Sequence, residues 1–180
     1  MDDSGLLSAI IPAVALHELS HFLALRCMGA VPNRLSIRMS GLCMDYYGSL
    51  SEGQEALAAL AGPAGGLLGA LICSGVGTAL ESQFWTCCAG IGFLLSVFNL
   101  LPALPLDGGR ALFYLTVKRY GTVQAARILN SFSVAVSMSL AFVGFVLLFR
   151  GYGIAVLAAG FWVLVLGVDA PCKTSKTGIK

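Results

Sequence analysis

Histidine is almost missing from this chain: two occur in 180 residues, at positions 17 and 21. Sites built on three imidazoles are therefore excluded, and any metal held here needs a ligand of another kind. Charge is scarce too. Asp, Glu, Lys and Arg make up 11% of the residues against 57% hydrophobic, and the mean hydropathy is +0.85. So little polar surface cannot cover a water-soluble globule of this size. Apolar stretches long enough to cross a hydrocarbon core recur along the chain, so it is read as integral to a bilayer. The cysteines at 27, 43, 73, 87, 88 and 172 form no CxxC pair, which argues against a thiolate metal site or a disulfide framework and leaves them as small apolar filler in reducing surroundings. A net charge of +2, dispersed along the chain, leaves no nucleic-acid-binding surface. The start, Met1-Asp2-Asp3-Ser4, is acidic where a signal peptide is basic, so the first apolar run is expected to stay in the protein. No internal repeat or low-complexity segment is present.

Length and flanking polar residues predict five membrane spans, at about 5–28, 54–79, 84–102, 124–149 and 152–169. The expected fold class is an all-α polytopic membrane protein, with one insertion of another kind. Between the first two spans, Leu35, Ile37 and Met39 alternate with Ser36, Arg38 and Ser40 before Gly41, a period of two that predicts a strand or short hairpin. An irregular polar loop is the alternative. Positions 108–120, ending in Lys118-Arg119, are expected to form an interfacial helix after the third span. Positions 1–170 are read as a single domain, and 171–180, with Pro171 and three lysines, as a disordered cytoplasmic tail. Of the 11 Lys and Arg residues, only Arg150 falls on the second face of this arrangement. That asymmetry places the N-terminus outside and the C-terminus in the cytoplasm.

The two histidines stand in His17-Glu18-Leu19-Ser20-His21, inside the apolar run Leu6–Met28. Residues four apart share a helix face, so both imidazoles can address one ion, with Glu18 beside it to take a proton from bound water. Histidines satisfied in a core or at a helix end are the plainer alternative. Placement weighs against it, because each ionisable group at bilayer depth costs roughly 2.5–3.5 kcal/mol to insert and three fall within five residues. His21 precedes Arg26 by five residues, which sets the motif in the cytoplasmic half of its helix. Catalytic zinc takes three protein ligands and a water, so a third ligand is needed. Removing acids that are terminal, interfacial or near helix ends leaves Asp45 and Asp107. Asp107 lies at the depth of the histidines and closes Phe98-Asn99-Leu100-Leu101-Pro102-Ala103-Leu104-Pro105-Leu106-Asp107-Gly108-Gly109-Arg110, where two prolines break the helix and two glycines let backbone approach closely. A plain N-cap for the following helix is the competing role.

Together, HExxH at 17–21, Ala61-Gly62-Pro63 in the next span and NxxPxxPLDG at 99–108 resemble the site-2 protease family of intramembrane zinc metalloproteases. The resemblance covers positions 17–110. It implies one zinc ion held by His17, His21 and Asp107, Glu18 as general base, and hydrolysis of a peptide bond within or next to a membrane span of a tethered protein. Asn99 is implied in substrate binding. With no room for a PDZ insertion and no CBS domain, the chain is similar to the compact branch that includes sporulation proteases. The implied setting is thus a bacterial cytoplasmic membrane, with a single-span substrate such as a pro-sigma or anti-sigma factor and scope for a regulatory partner. Two features depart from the pattern. Gly66 stands where many relatives carry an asparagine, and no helix precedes the HExxH span, as in a minimal five-helix form or an incomplete start. Substrate must unwind to be cut, and Ile37 marks the strand edge to which it is expected to add. A membrane metal-ion transporter, with the ion as cargo, is the alternative function.

Overall fold

The computed structural model describes residues 3–38, 41–151, 154–166 and 175–176. Among these residues, six helices and a small sheet follow in the order α1 (Asp3–Cys27), β1 (Val31–Arg38), β2 (Gly41–Tyr47), α2 (Glu52–Ala79), α3 (Gln83–Asn99), α4 (Asp107–Tyr120), α5 (Thr122–Phe149), α6 (Ala155–Leu166) and β3 (Ser175–Lys176). Among the described residues, three helices are long and apolar enough to cross a membrane: α1 from Ser8 to Cys27, α2 and α5. Two more apolar helices, α3 with 17 residues and α6 with 12, stand at the other expected spans. Their outward faces suit lipid. Ile11, Leu71, Phe142 and Phe149 are each at least 70% exposed, a disposition that water would penalise.

Local chemistry sets the boundaries. Ser51 and Gln54 form a reciprocal capping box at the start of α2, and Glu52 and Glu55 place negative charge on its first turn. Gly121, at φ +79°, breaks the chain between α4 and α5 in a conformation few side chains tolerate. The third helix stops at Asn99, three residues short of the expected 102, because Pro102 and Pro105 remove amide donors and restrict the residues before them. The chain then coils through tight turns, with Leu101 donating to Phe98 at 3.1 Å, Ala103 to Leu101 at 2.8 Å and Leu106 to Ala103 at 2.9 Å. This segment is built into the protein. Ala103 and Leu106 pack on Val163 of α6, Leu104 packs with Phe113, Ala125 and Leu129, and the Leu104 amide donates to Ser133 Oγ of α5 at 3.0 Å.

The expected hairpin forms between α1 and α2, with β1 antiparallel to β2 and Ile37 opposite Leu42. In the sheet order β1-β2-β3, β1 is an outer strand, paired on one side only among the described residues. Of the expected tail, Ser175 and Lys176 pair in parallel with Tyr46 and Tyr47, and the remainder lies outside the described residues. The helix expected at the interface, α4, packs against α2 and α5 and buries Asp107, Gly108, Gly109, Ala111, Phe113 and Thr116. Glycines let α2 lie directly on α1. A Cβ at Gly62, Gly65 or Gly69 would overlap His21, Ser20 or Leu16, so backbones approach more closely than any larger residue permits.

Candidate metal centre

His17 and His21 are one turn apart on α1, and their rings stand at 78° with centroids 5.0 Å apart. Asp107, the first residue of α4, meets them from across the bundle. Its Oδ2 lies 3.0 Å from His17 Nε2 and 3.2 Å from His21 Nε2, and the three donor atoms all fall within 4.8 Å of one another. The N-cap of α4 is Leu106, with no side-chain cap bond, so the Asp107 carboxylate faces the histidines and does not cap. Its other oxygen, Oδ1, is 3.5 Å from Arg110 Nη1 one turn along the helix. Asp45, the other acid considered, stands on β2 outside this group.

Hydrogen bonding fixes what His21 offers. Its Nδ1 is 2.8 Å from the Ala58 carbonyl of α2, an acceptor only, so Nδ1 carries the proton. A neutral His21 then turns a bare lone pair at Nε2 toward a carboxylate oxygen 3.2 Å away. Two acceptors facing each other need a positive charge between them, either a proton or a metal ion. Two imidazole nitrogens and one carboxylate oxygen, convergent and with His17 and Asp107 buried and His21 half-buried, form a donor set that suits zinc with a fourth position left for water. The residues present therefore fit a metal ion.

These groups line a cavity of about 210 Å³ together with Glu18, Tyr46, Glu55, Asn99, Arg110 and Trp162. Glu18 follows His17 directly on α1 and is half-buried. Asn99, at the end of α3, lines the same cavity while its Nδ2 donates to Leu95 at 3.0 Å. The β1 backbone at Ile37 is described; its side chain lies outside the described residues. Tyr46 and Glu55 were not anticipated as part of the site. The Tyr46 hydroxyl donates to the Glu55 carboxylate, and burial, reinforced by that carboxylate, pushes the phenol above its ordinary pKa so that it stays a neutral donor. Nothing in the local sequence pairs a strand tyrosine with a helix-start glutamate. An apolar groove on α1 and α3 shares Val14 and Leu95 with the cavity.

The architecture and this site define a polytopic membrane protein with a convergent His-His-Asp centre and an adjacent carboxylate. The model of the family described as Peptidase family M50 matches residues 78–140, a segment that includes Asn99 and Asp107. No curated protein sequence matches the chain. Among solved structures, the site-2 protease from Methanocaldococcus jannaschii is similar, with a TM-score of 0.69 at 21% identity over 98% of this chain and 80% of that one. The class supported is a membrane metalloprotease. Its fold is that of a site-2 protease, the family that the motifs themselves resemble.

Proposed function

We propose that this chain is an intramembrane zinc metalloprotease that cuts a peptide bond within or beside a membrane span of a tethered protein. The observation that carries this is the facing of His17 Nε2, His21 Nε2 and Asp107 Oδ2 around one point in a cavity that Glu18 also lines. His17, His21 and Asp107 would hold the ion, with Ala58 and Arg110 orienting His21 and Asp107 from behind. Zinc supplies Lewis acidity there, bringing the pKa of a bound water toward about 7. Glu18, which lines the same cavity, would accept the proton of the attacking water and pass it to the leaving amine. Asn99, with a second amide hydrogen to offer, and the Tyr46 hydroxyl supply polar contacts for the substrate backbone.

A substrate helix hides its peptide bonds in its own hydrogen bonds and must open first. The apolar groove that meets the cavity at Val14 and Leu95 gives such a segment a place to lie, and the outer edge of β1 gives its unwound backbone a partner. Proline at Ile37 is expected to slow cleavage about tenfold by removing one amide hydrogen bond and disturbing the edge, a loss of order 1 kcal/mol. Zinc content should be unchanged; an Ile37→Pro protein that cleaves normally rules out strand addition there.

The substrate we infer is a single-span protein such as a membrane-tethered pro-sigma or anti-sigma factor, in a bacterial cytoplasmic membrane with the site toward the cytoplasm. The basic residues outside Arg150 support that orientation. The deciding experiment is metal removal. Purified protein should contain one zinc per chain and cut a model single-span substrate, lose cleavage on chelation, and recover it when zinc is returned. Cleavage that survives complete zinc removal would refute the proposal.

A further inference from the structure

The two histidines are supported unequally. His21 Nδ1 has the Ala58 carbonyl, but His17 Nδ1 is buried and has no hydrogen-bond partner. Once Nε2 of His17 gives its lone pair to a metal ion, the neutral ring carries its proton on Nδ1, an N–H donor without an acceptor in a residue 4% exposed. Leaving such a group unmet costs roughly 1–3 kcal/mol. The space beside it is shaped by Gly66 of α2. A Cβ built at Gly66 would lie 3.6 Å from His17 Nδ1 and would overlap Ser96 Oγ of α3. Ser96 thus places a hydroxyl where a side chain at position 66 would stand, and it is fully buried. Its proton is committed to the Gly92 carbonyl at 2.8 Å, so what its oxygen presents elsewhere is lone pairs.

We propose that Ser96 is the positioning residue for His17: its hydroxyl oxygen accepts from His17 Nδ1–H, directly after a small closure or through one water, and Gly66 is small so that this oxygen can reach. Three helices then meet in one support, with α3 holding the ligand of α1 through a gap in α2. The arrangement fixes the Nδ1–H tautomer and keeps Nε2 available to a metal ion. It rests on the metal centre proposed above.

A hydroxyl swap across the gap tests it. In Ser96→Ala, zinc affinity measured by chelator competition should fall about 10- to 100-fold, the range typical for loss of such support. A Cβ at position 66 lies 3.6 Å from the Ser96 Cβ, so a residue at 66 fits once the hydroxyl at 96 is gone. Gly66→Ser combined with Ser96→Ala should therefore recover most of the affinity, while Gly66→Ala with Ser96→Ala, matched in volume but without a hydroxyl, should not. In parallel, on the zinc-loaded proteins, the His17 Nδ1–H proton should resonate downfield and exchange slowly in wild type and in the serine swap, and lose both signatures in Ser96→Ala and in the alanine swap. Wild-type affinity and an unchanged Nδ1–H signature in Ser96→Ala, or equal behaviour of the serine and alanine swaps, overturns the proposal. A chain that binds zinc with this pattern yet cuts nothing would refute the protease function and leave Ser96's role standing.

Discussion

Replacing Glu18 with glutamine is expected to reduce cleavage by roughly 10²- to 10⁴-fold, the usual contribution of a general base, equivalent to about 3–5 kcal/mol of barrier. Zinc content should not change. The reason lies in the separation of roles on α1: His17 and His21 converge with Asp107, whereas Glu18 lines the cavity without joining that group. Glutamine keeps the size and a hydrogen-bonding end but cannot accept a proton at neutral pH. Single-turnover cleavage of a model span, with zinc counted on the same samples, checks both halves. Equal rates in Glu18→Gln and wild type remove the general-base role. Loss of zinc with loss of cleavage would make Glu18 a fourth ligand, the arrangement expected when an ion is cargo in a transporter.

The site was legible in the sequence wherever it depends on local spacing. His17 and His21 needed only a helix of ordinary pitch to share a face, and the apolar run around them guaranteed one. Asp107 was reached by a count of ligands, with capping still open; the structure shows the carboxylate turned to the histidines and Leu106 at the cap. The period-two pattern at 35–40 signalled a strand, and the described part of it pairs in a hairpin. What did not show in the sequence depends on packing between distant elements. The Tyr46 to Glu55 bond joins a strand to a helix start, and the Ala58 carbonyl that orients His21 is a backbone atom no motif marks. The helix at 108–120 was expected at the interface because it is short and ends in basic residues. What the pattern did not show is how its start is held: Gly108 and Gly109 lie against the backbone of Leu100, Leu101 and Ala103, too close for any Cβ, with Asp107 beside them at the histidines. The end of α3 was set by proline geometry, which overrode the hydrophobic run continuing through Leu100 and Leu101.

Gly62→Ala should be the most damaging exchange that leaves every polar residue of the site in place. A Cβ at position 62 would fall within the His21 ring, overlapping Nε2, with Cδ2 at 2.6 Å. The clash is with a ring already clamped between Ala58 and Asp107, so it cannot be relieved by a small rotation. Either the imidazole swings out, giving up both partners, or α1 and α2 part where glycines now let them touch. Both outcomes dismantle the metal centre. We expect zinc affinity to fall by at least about 100-fold, more than for loss of an outer support alone, and cleavage to drop to background. The helix itself should not suffer, because alanine is favoured over glycine in a helix interior by up to about 1 kcal/mol. Gly75→Ala, in the same helix with nothing within 4 Å of the added carbon, supplies the control and should keep zinc, cleavage and stability. Zinc analysis, cleavage and thermal unfolding of the two variants side by side separate a lost site from a lost fold. Wild-type zinc binding in Gly62→Ala would mean that His21 does not need the position it occupies, and the three-ligand centre would fall with it.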